Sequence, residues 1–243
     1  MVTLALLHTS PVHVPVFDAL RDADHPGLAL RHVVHEDLLA RARAEGPDAV
    51  ADDVRAALAE AAAGDGAEGG GGGADAVLCT CSTIGGVAES HAAAVGVPVL
   101  RVDRPMAAAA VRAGSSVAVV ATVASTLEPT RALVAEEAAR AGRPVDVRTV
   151  LVDGAWERFE AGDREEFLRL IVDAVQAVAG SVDAVVLAQA SMADAADRVS
   201  AAVPVLASPR TGLREAARLC EPSQPGPVVD QPRPEPVVDQ PRA

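Results

Sequence analysis

Tyrosine is absent from this chain, and three phenylalanines and one tryptophan are its whole aromatic content. Half of the residues are nonetheless hydrophobic, mostly Ala and Val, so the core must be built from small side chains packed closely between helices and strands. Cysteine is scarce and odd in number, at three, which excludes a disulfide scaffold and points to a reducing, cytoplasmic compartment. Positive charge is short: 21 basic against 34 acidic residues leave a formal net charge of −13. That balance argues against nucleic acid, whose phosphates demand basic patches. No apolar run reaches the ~18 residues of a membrane span. The opening MVTLALLHTS lacks a basic n-region and a cleavage site, and reads as a first strand rather than a signal peptide. At 243 residues the chain suits one large domain or two small ones.

What is present centres on DAVLCTCSTIGG, residues 75–86. Ala76, Val77 and Leu78 predict a buried strand, and a helix is expected to open near Gly85 and Gly86 after a turn. Cys79, Cys81, Ser82 and Thr83 sit at that junction. In open α/β sheets ligands bind where strands end and helices begin. Backbone N–H groups and the helix dipole there attract anions and favour a thiolate. A thiolate acting as base or nucleophile on a small carboxylate is one reading; two inert, packed cysteines is the other. A Cys-x-Cys metal site with His8 or His91 competes weakly, because zinc-binding cysteines are usually spaced by two to four residues.

All six histidines precede residue 92. His32 and His35 read as a solvated strand end. His8 closes the predicted first strand and is expected to border the cleft that Cys81 faces, where it reads either as a second acid/base group or as a satisfied structural histidine. The glycine run within 64–74 lacks the Lys-Ser/Thr ending of a P-loop and reads as a surface loop. Ser125-Thr126-Leu127-Glu128 matches a capping box. Arg104 and Arg210 have the geometry to hold a carboxylate, with surface ion pairs as the default.

Strand-like segments alternate with helical ones throughout, as parallel sheets require. Three echoes recur in the same order: LALLHTS (4–10) with VAVVATV (117–123), DAVLC (75–79) with DAVVL (183–187), and VPVLRVDRP (97–105) with VPVLASPRT (203–211). They predict two similar α/β halves. From Glu221 the chain turns Pro-rich and repeats PVVDQPR at 227–233 and 236–242, the composition of an extended, disordered tail.

Thr80-Cys81-Ser82-Thr83, placed after a strand, resembles the first cysteine motif of the aspartate/glutamate racemase superfamily, which includes hydantoin racemase, arylmalonate decarboxylase and maleate isomerase. The resemblance covers residues 1–220 in layout. Its second motif, a Gly-Cys-Thr run, maps to VVLAQASM (185–192), where Ala190 stands in the place of the second cysteine and Ser191 follows. The resemblance implies two pseudo-symmetric halves with parallel sheets and the site in the cleft between them. On that reading residues 1–103 form the first half, with the last helix, 207–220, packing back on it. Residues 104–206 form the second half and 221–243 the tail.

The same resemblance assigns Cys81 as the catalytic thiol, and Ser82, Thr83, Thr122, Thr126 and Ser191 as carboxylate-binding hydroxyls. It implies isomerase, racemase or lyase chemistry on a small carboxylic or amino acid, without metal or organic cofactor, in a cytoplasmic protein free to form a homo-oligomer. The alternative is a small-carboxylate-binding or regulatory protein with a degenerate site. With Ala190 opposite Cys81, two-thiol racemisation is not expected.

Overall fold

A computed structural model describes residues 2–63 and 72–221. Most of the glycine run and the Pro-rich repeats therefore lie outside the described residues. The first sheet collects β1 (Thr3–His8), β2 (Ala29–Val34), β3 (Ala76–Cys79) and β4 (Val99–Arg101) in the order β2-β1-β3-β4. The second collects β5 (Ser116–Ala121), β6 (Asp146–Leu151), β7 (Ala184–Leu187) and β8 (Val205–Ala207) in the order β6-β5-β7-β8. All pairs are parallel. The echoed segments fall on matching strands: β1 with β5, β3 with β7, and β4 with β8.

The helices of the first half are α1 (Val14–Asp24), α2 (Glu36–Glu45), α3 (Ala51–Ala63), α4 (Ser82–Ser90) and α5 (Ala92–Val95). Then follow α6 (Arg104–Ala113), α7 (Leu127–Arg140), α8 (Ala155–Glu160), α9 (Arg164–Ala179), α10 (Ala193–Ala196) and α11 (Ser208–Cys220). Among the described residues no helix is long and apolar enough to cross a membrane.

The period of two along a strand explains how each half builds its core. Ala5, Leu7, Val77 and Cys79 pack on one face of the first sheet against Leu38, Val54, Leu58 and Ile84 from α2, α3 and α4. Leu4, Leu6, Ala76 and Leu78 pack on the other face with Phe17 of α1 and Leu213 and Ala216 of α11. The last helix thus covers the first sheet. Gly212 allows this close approach, since a Cβ there would overlap the Val102 carbonyl and side chain. The second sheet packs the same way: Val117, Val119 and Val186 face Met106 and Leu133, while Ala118, Val120 and Val185 face Phe167 and Ile171. One fully buried phenylalanine per half, Phe17 and Phe167, supplies the bulk that alanine and valine cannot.

The repeated aspartate before β3 and β7 has a physical role. Asp75 Oδ2 accepts from the Thr3 N–H at 2.7 Å. Asp183 Oδ2 accepts from the Ser115 and Ser116 N–H groups at 2.7 and 2.9 Å, which lowers its pKa. Each carboxylate satisfies backbone donors at the start of the neighbouring strand.

Two expectations about helix starts fail. α4 opens at Ser82, not near Gly85, and the glycines lie inside it because Arg101 passes beneath: a Cβ on Gly85 would sit 3.0 Å from Arg101 Cβ and Nε. The capping box also does not form. Residues 124–126 make a short 3₁₀ turn, α7 starts at Leu127, and Ser125 Oγ is buried without a partner.

Candidate active site between the halves

In both sheets the chain leaves the central strands in opposite directions, β1 from β3 and β5 from β7. Such switch points leave a crevice beyond the carboxyl ends of the strands. Here the two crevices face one another and enclose about 570 Å³, part of it open to solvent.

Cys81 lines this cavity as the N-cap residue of α4, in extended conformation (φ −105°, ψ 117°). No side chain caps α4, so its first backbone N–H groups remain open beside the thiol. Cys79 is different: it is fully buried on the α2–α4 side of the sheet, and burial pushes its thiol pKa far up. Thus the two thiols do not converge on a metal, and among the described residues no three His, Cys, Asp or Glu side chains group to hold one.

Ser82, Thr83, Thr126 and Ser191 all line the cavity with Cys81. The Ser82 hydroxyl donates to the Ala188 carbonyl of the second half at 3.1 Å, and Thr126 donates to the Val123 carbonyl at 2.7 Å. Both oxygens keep acceptor capacity only. Thr83 and Ser191 make no side-chain hydrogen bond among the described residues, which leaves them as donors.

Thr122 does not join them. Its side chain is buried outside the cavity wall and donates to Gln189 Oε1 at 3.0 Å. His8 is also misplaced by the sequence reading: it is 0% exposed and sits behind the wall. Its Nδ1 is 2.9 Å from Thr80 Oγ1 and its Nε2 is 2.8 Å from His32 Nδ1, with His32 Nε2 3.3 Å from Asp18. The Thr80 hydroxyl also lies 3.1 Å from the Leu7 carbonyl, so its one proton serves either that carbonyl or His8 Nδ1, and the tautomers of the two rings follow from that choice. The strand end turned His8 into the sheet interior, because Thr9 and Ser10 carry the chain out to the cavity instead.

Burial, the neighbouring His32 and His13 lower the His8 pKa to about 3. The folded chain therefore refuses a proton that the unfolded chain binds below about pH 6.5. Stability should fall as pH drops from that value toward 3, by about 1.4 kcal/mol per pH unit from this group. His8→Gln should flatten the pH dependence of urea unfolding by that slope between about pH 6 and 4.5. Equal slopes in variant and wild type would mean that His8 protonates freely in the folded protein.

The strand register also moves the position opposite Cys81. Leu7 pairs with Cys79 in the first sheet, and Val120 pairs with Leu187 in the second. Counting two residues onward, Cys81 matches Gln189, and Ser82 matches Ala190. Gln189 is likewise the extended residue before a helical turn (φ −128°, ψ 142°). The expectation that Ala190 faces Cys81 is thus off by one residue. Gln189 Oε1 accepts from Thr122 N–H at 2.7 Å, Thr122 Oγ1 at 3.0 Å and Val123 N–H at 3.3 Å. Backbone donors identify that atom as the oxygen, so its NH₂ group is the donor left over.

Sequence reasoning missed other parts of the wall, among them His13, Arg43, Trp156 and Phe159. Trp156 and Phe159 stack with centroids 5.0 Å apart, and the Arg43 guanidinium lies 5.7 Å from the Trp156 ring centroid. Burial lowers the His13 pKa. The rarity of aromatics was the available signal for Trp156 and Phe159, two of four on one short helix; nothing marked Arg43. Arg104 and Arg210 are committed elsewhere. Arg104 ties Glu89 of α4 to Glu136 and Glu137 of α7, and Arg210 pairs with Asp24.

The family model for Asp/Glu/hydantoin racemases matches residues 15–216. The chain belongs to this racemase family. Solved structures agree in fold. Aspartate racemase from Picrophilus torridus is 12% identical, with 90% of this chain and 94% of that one covered at a TM-score of 0.64. Allantoin racemase from Pseudomonas fluorescens is 19% identical, covering 98% and 100% at 0.59. A variant of arylmalonate decarboxylase is 20% identical, covering 90% and 93% at 0.60. No curated protein sequence matches. Within the racemase fold, this chain places one thiol on one wall of the cleft and a carboxamide at the matching position of the other.

Proposed function

We propose that this racemase-family protein is a cofactor-independent enzyme acting on a small carboxylic acid through a single thiol, Cys81. The observation that carries this reading is Cys81 at the open N-terminus of α4, on the wall of a cavity whose matching position holds Gln189. Cys81 would take or give the proton at the carbon beside the carboxylate. The α4 N–H groups, the Thr83 and Ser191 hydroxyls and the Gln189 NH₂ would bind the carboxylate and stabilise the enediolate charge that develops. Racemisation needs a proton-transferring group on each face, and a carboxamide supplies none. The reactions open to a one-sided site are exchange with retention, protonation of an enediolate after CO₂ leaves, and thiolate addition to a double bond followed by its expulsion. All three cysteines are unpaired, which supports a reducing, cytoplasmic setting.

Gln189 also favours a second reading, a carboxylate-binding protein whose catalysis is lost. The two are separated by deuterium incorporation beside the carboxylate in heavy water, CO₂ release and cis–trans isomerisation, over a panel of hydroxy acids, amino acids, hydantoins, malonates and unsaturated diacids. The enzyme reading expects one of these outcomes with at least one class. Binding of panel members without any of them supports the binding protein.

A further inference from the structure

The cavity has an unequal charge pattern. The chain carries −13 overall, yet among the described residues that line the cavity none is acidic and one, Arg43, is a permanent cation. Among the described residues Arg43 makes no ion pair and no hydrogen bond. The remaining arginines near the cleft are neutralised, Arg101 by Asp103 at 2.6 Å and Arg104 by three glutamates. Burial keeps the neighbouring His13 neutral at neutral pH.

Arg43 belongs to α2 of the first half, and Trp156, over whose ring it lies, belongs to α8 of the second. The pair therefore spans the mouth of the cleft. Cation–π contact holds a guanidinium in place while leaving its N–H fork free for a carboxylate. Trp156 and Phe159 add an apolar shelf beside it.

We propose that Arg43 selects the charge of the ligand: the cavity takes a net-anionic carboxylate whose apolar part rests on Trp156 and Phe159, and discriminates against zwitterionic amino acids. A zwitterion brings an ammonium into a wall that offers a guanidinium and no carboxylate, so one charge is repelled and left without a partner. A hydroxy or apolar substituent at the same carbon meets no such cost. The role rests on the carboxylate-site reading above, but it is measured by binding and not by turnover.

Trp156 is the chain's single tryptophan, so intrinsic fluorescence of the full-length protein reports on this cavity directly. The probes are mandelate and phenylglycine, which differ by a hydroxyl against an ammonium, and lactate, which lacks the ring. Mandelate should bind at least about tenfold tighter than phenylglycine and than lactate. Arg43→Ala should weaken mandelate about tenfold or more with phenylglycine little changed, and Arg43→Lys should recover part of the loss. Arg55→Ala, which removes the same charge from the exposed face of α3, should change neither. Phenylglycine binding as tightly as mandelate, no saturable response to mandelate, or mandelate affinity unaffected in Arg43→Ala would each overturn the proposal. Intact mandelate selectivity in a protein that turns nothing over would remove the catalytic reading and leave the role of Arg43 standing.

Discussion

Cys81→Ala is expected to abolish turnover, by about 10²–10⁴-fold as for loss of a positioned acid or base, while Cys79→Ala keeps activity within a few-fold. The two thiols are one residue apart in sequence, yet the end of β3 separates them. Cys79 is enclosed by Ile84, Val54 and Leu58, and ionising it there would strand a charge without water. Cys81 lines the cavity at the N-cap position of α4, whose first N–H groups no side chain caps. Cys79→Ala should instead show itself as lost stability of about 1 kcal/mol from the small void, seen in urea unfolding. Steady-state kinetics with circular dichroism on both variants checks this. Equal loss of activity in two folded variants would place the chemistry on neither thiol alone.

The second large effect concerns stereochemistry. A proton leaving one face of a carbon and returning to the other needs a group on each side. Wild type has Cys81 on one side and Gln189 at its pseudo-symmetric position, so a chiral substrate should exchange its proton in heavy water with retention. Gln189→Cys should gain inversion, by about 10²-fold or more over wild type. The change also removes the acceptor for Thr122 and Val123, and each buried donor so orphaned costs about 1–3 kcal/mol. Gln189→Ser therefore serves as comparator, matched in lost contacts but without a thiol. Ala190→Cys should stay silent, because Ala190 corresponds to Ser82 in strand register. Following both enantiomers by chiral chromatography decides the matter. Inversion by Ala190→Cys but not by Gln189→Cys would contradict the register argument, and fast inversion by wild type would contradict the one-sided site.

The two parallel sheets were legible in the sequence because buried parallel strands read as apolar runs, and three such runs recur in order. Even the anchoring aspartates, Asp75 and Asp183, are part of the repeated strings. Cys81, Ser82 and Thr83 could be placed at the cleft because they follow a strand end, where a parallel sheet puts its ligand crevice, whereas Thr126 and Ser191 were implied only by the family resemblance. His8 was misread because a residue at a strand's last position can face either its helix layer or the crevice, and only register decides. Thr122, one residue past β5, was misread because its hydroxyl is taken up by Gln189 Oε1. The same one-residue uncertainty put Ala190 where Gln189 belongs, since a motif match without a strand partner has no ruler. Arg43, Trp156 and Phe159 come from helices far apart in sequence that meet only when the halves close over the cleft, and no local pattern encodes that meeting. Gly85 was read as a helix start because glycine often marks a junction. Its actual cause is Arg101 passing 3.0 Å from where a Cβ would lie, a long-range contact.

The central claim is that one thiol, Cys81, carries the chemistry. Iodoacetamide inactivation, followed by peptide mapping of all three cysteines over time, tests it most directly, with a substrate drawn from the heavy-water panel. Activity should fall in step with alkylation of Cys81, ahead of the buried Cys79 and Cys220, and that substrate should slow both together. Activity that persists once Cys81 is fully alkylated, or that disappears while Cys81 is still free, would contradict the account.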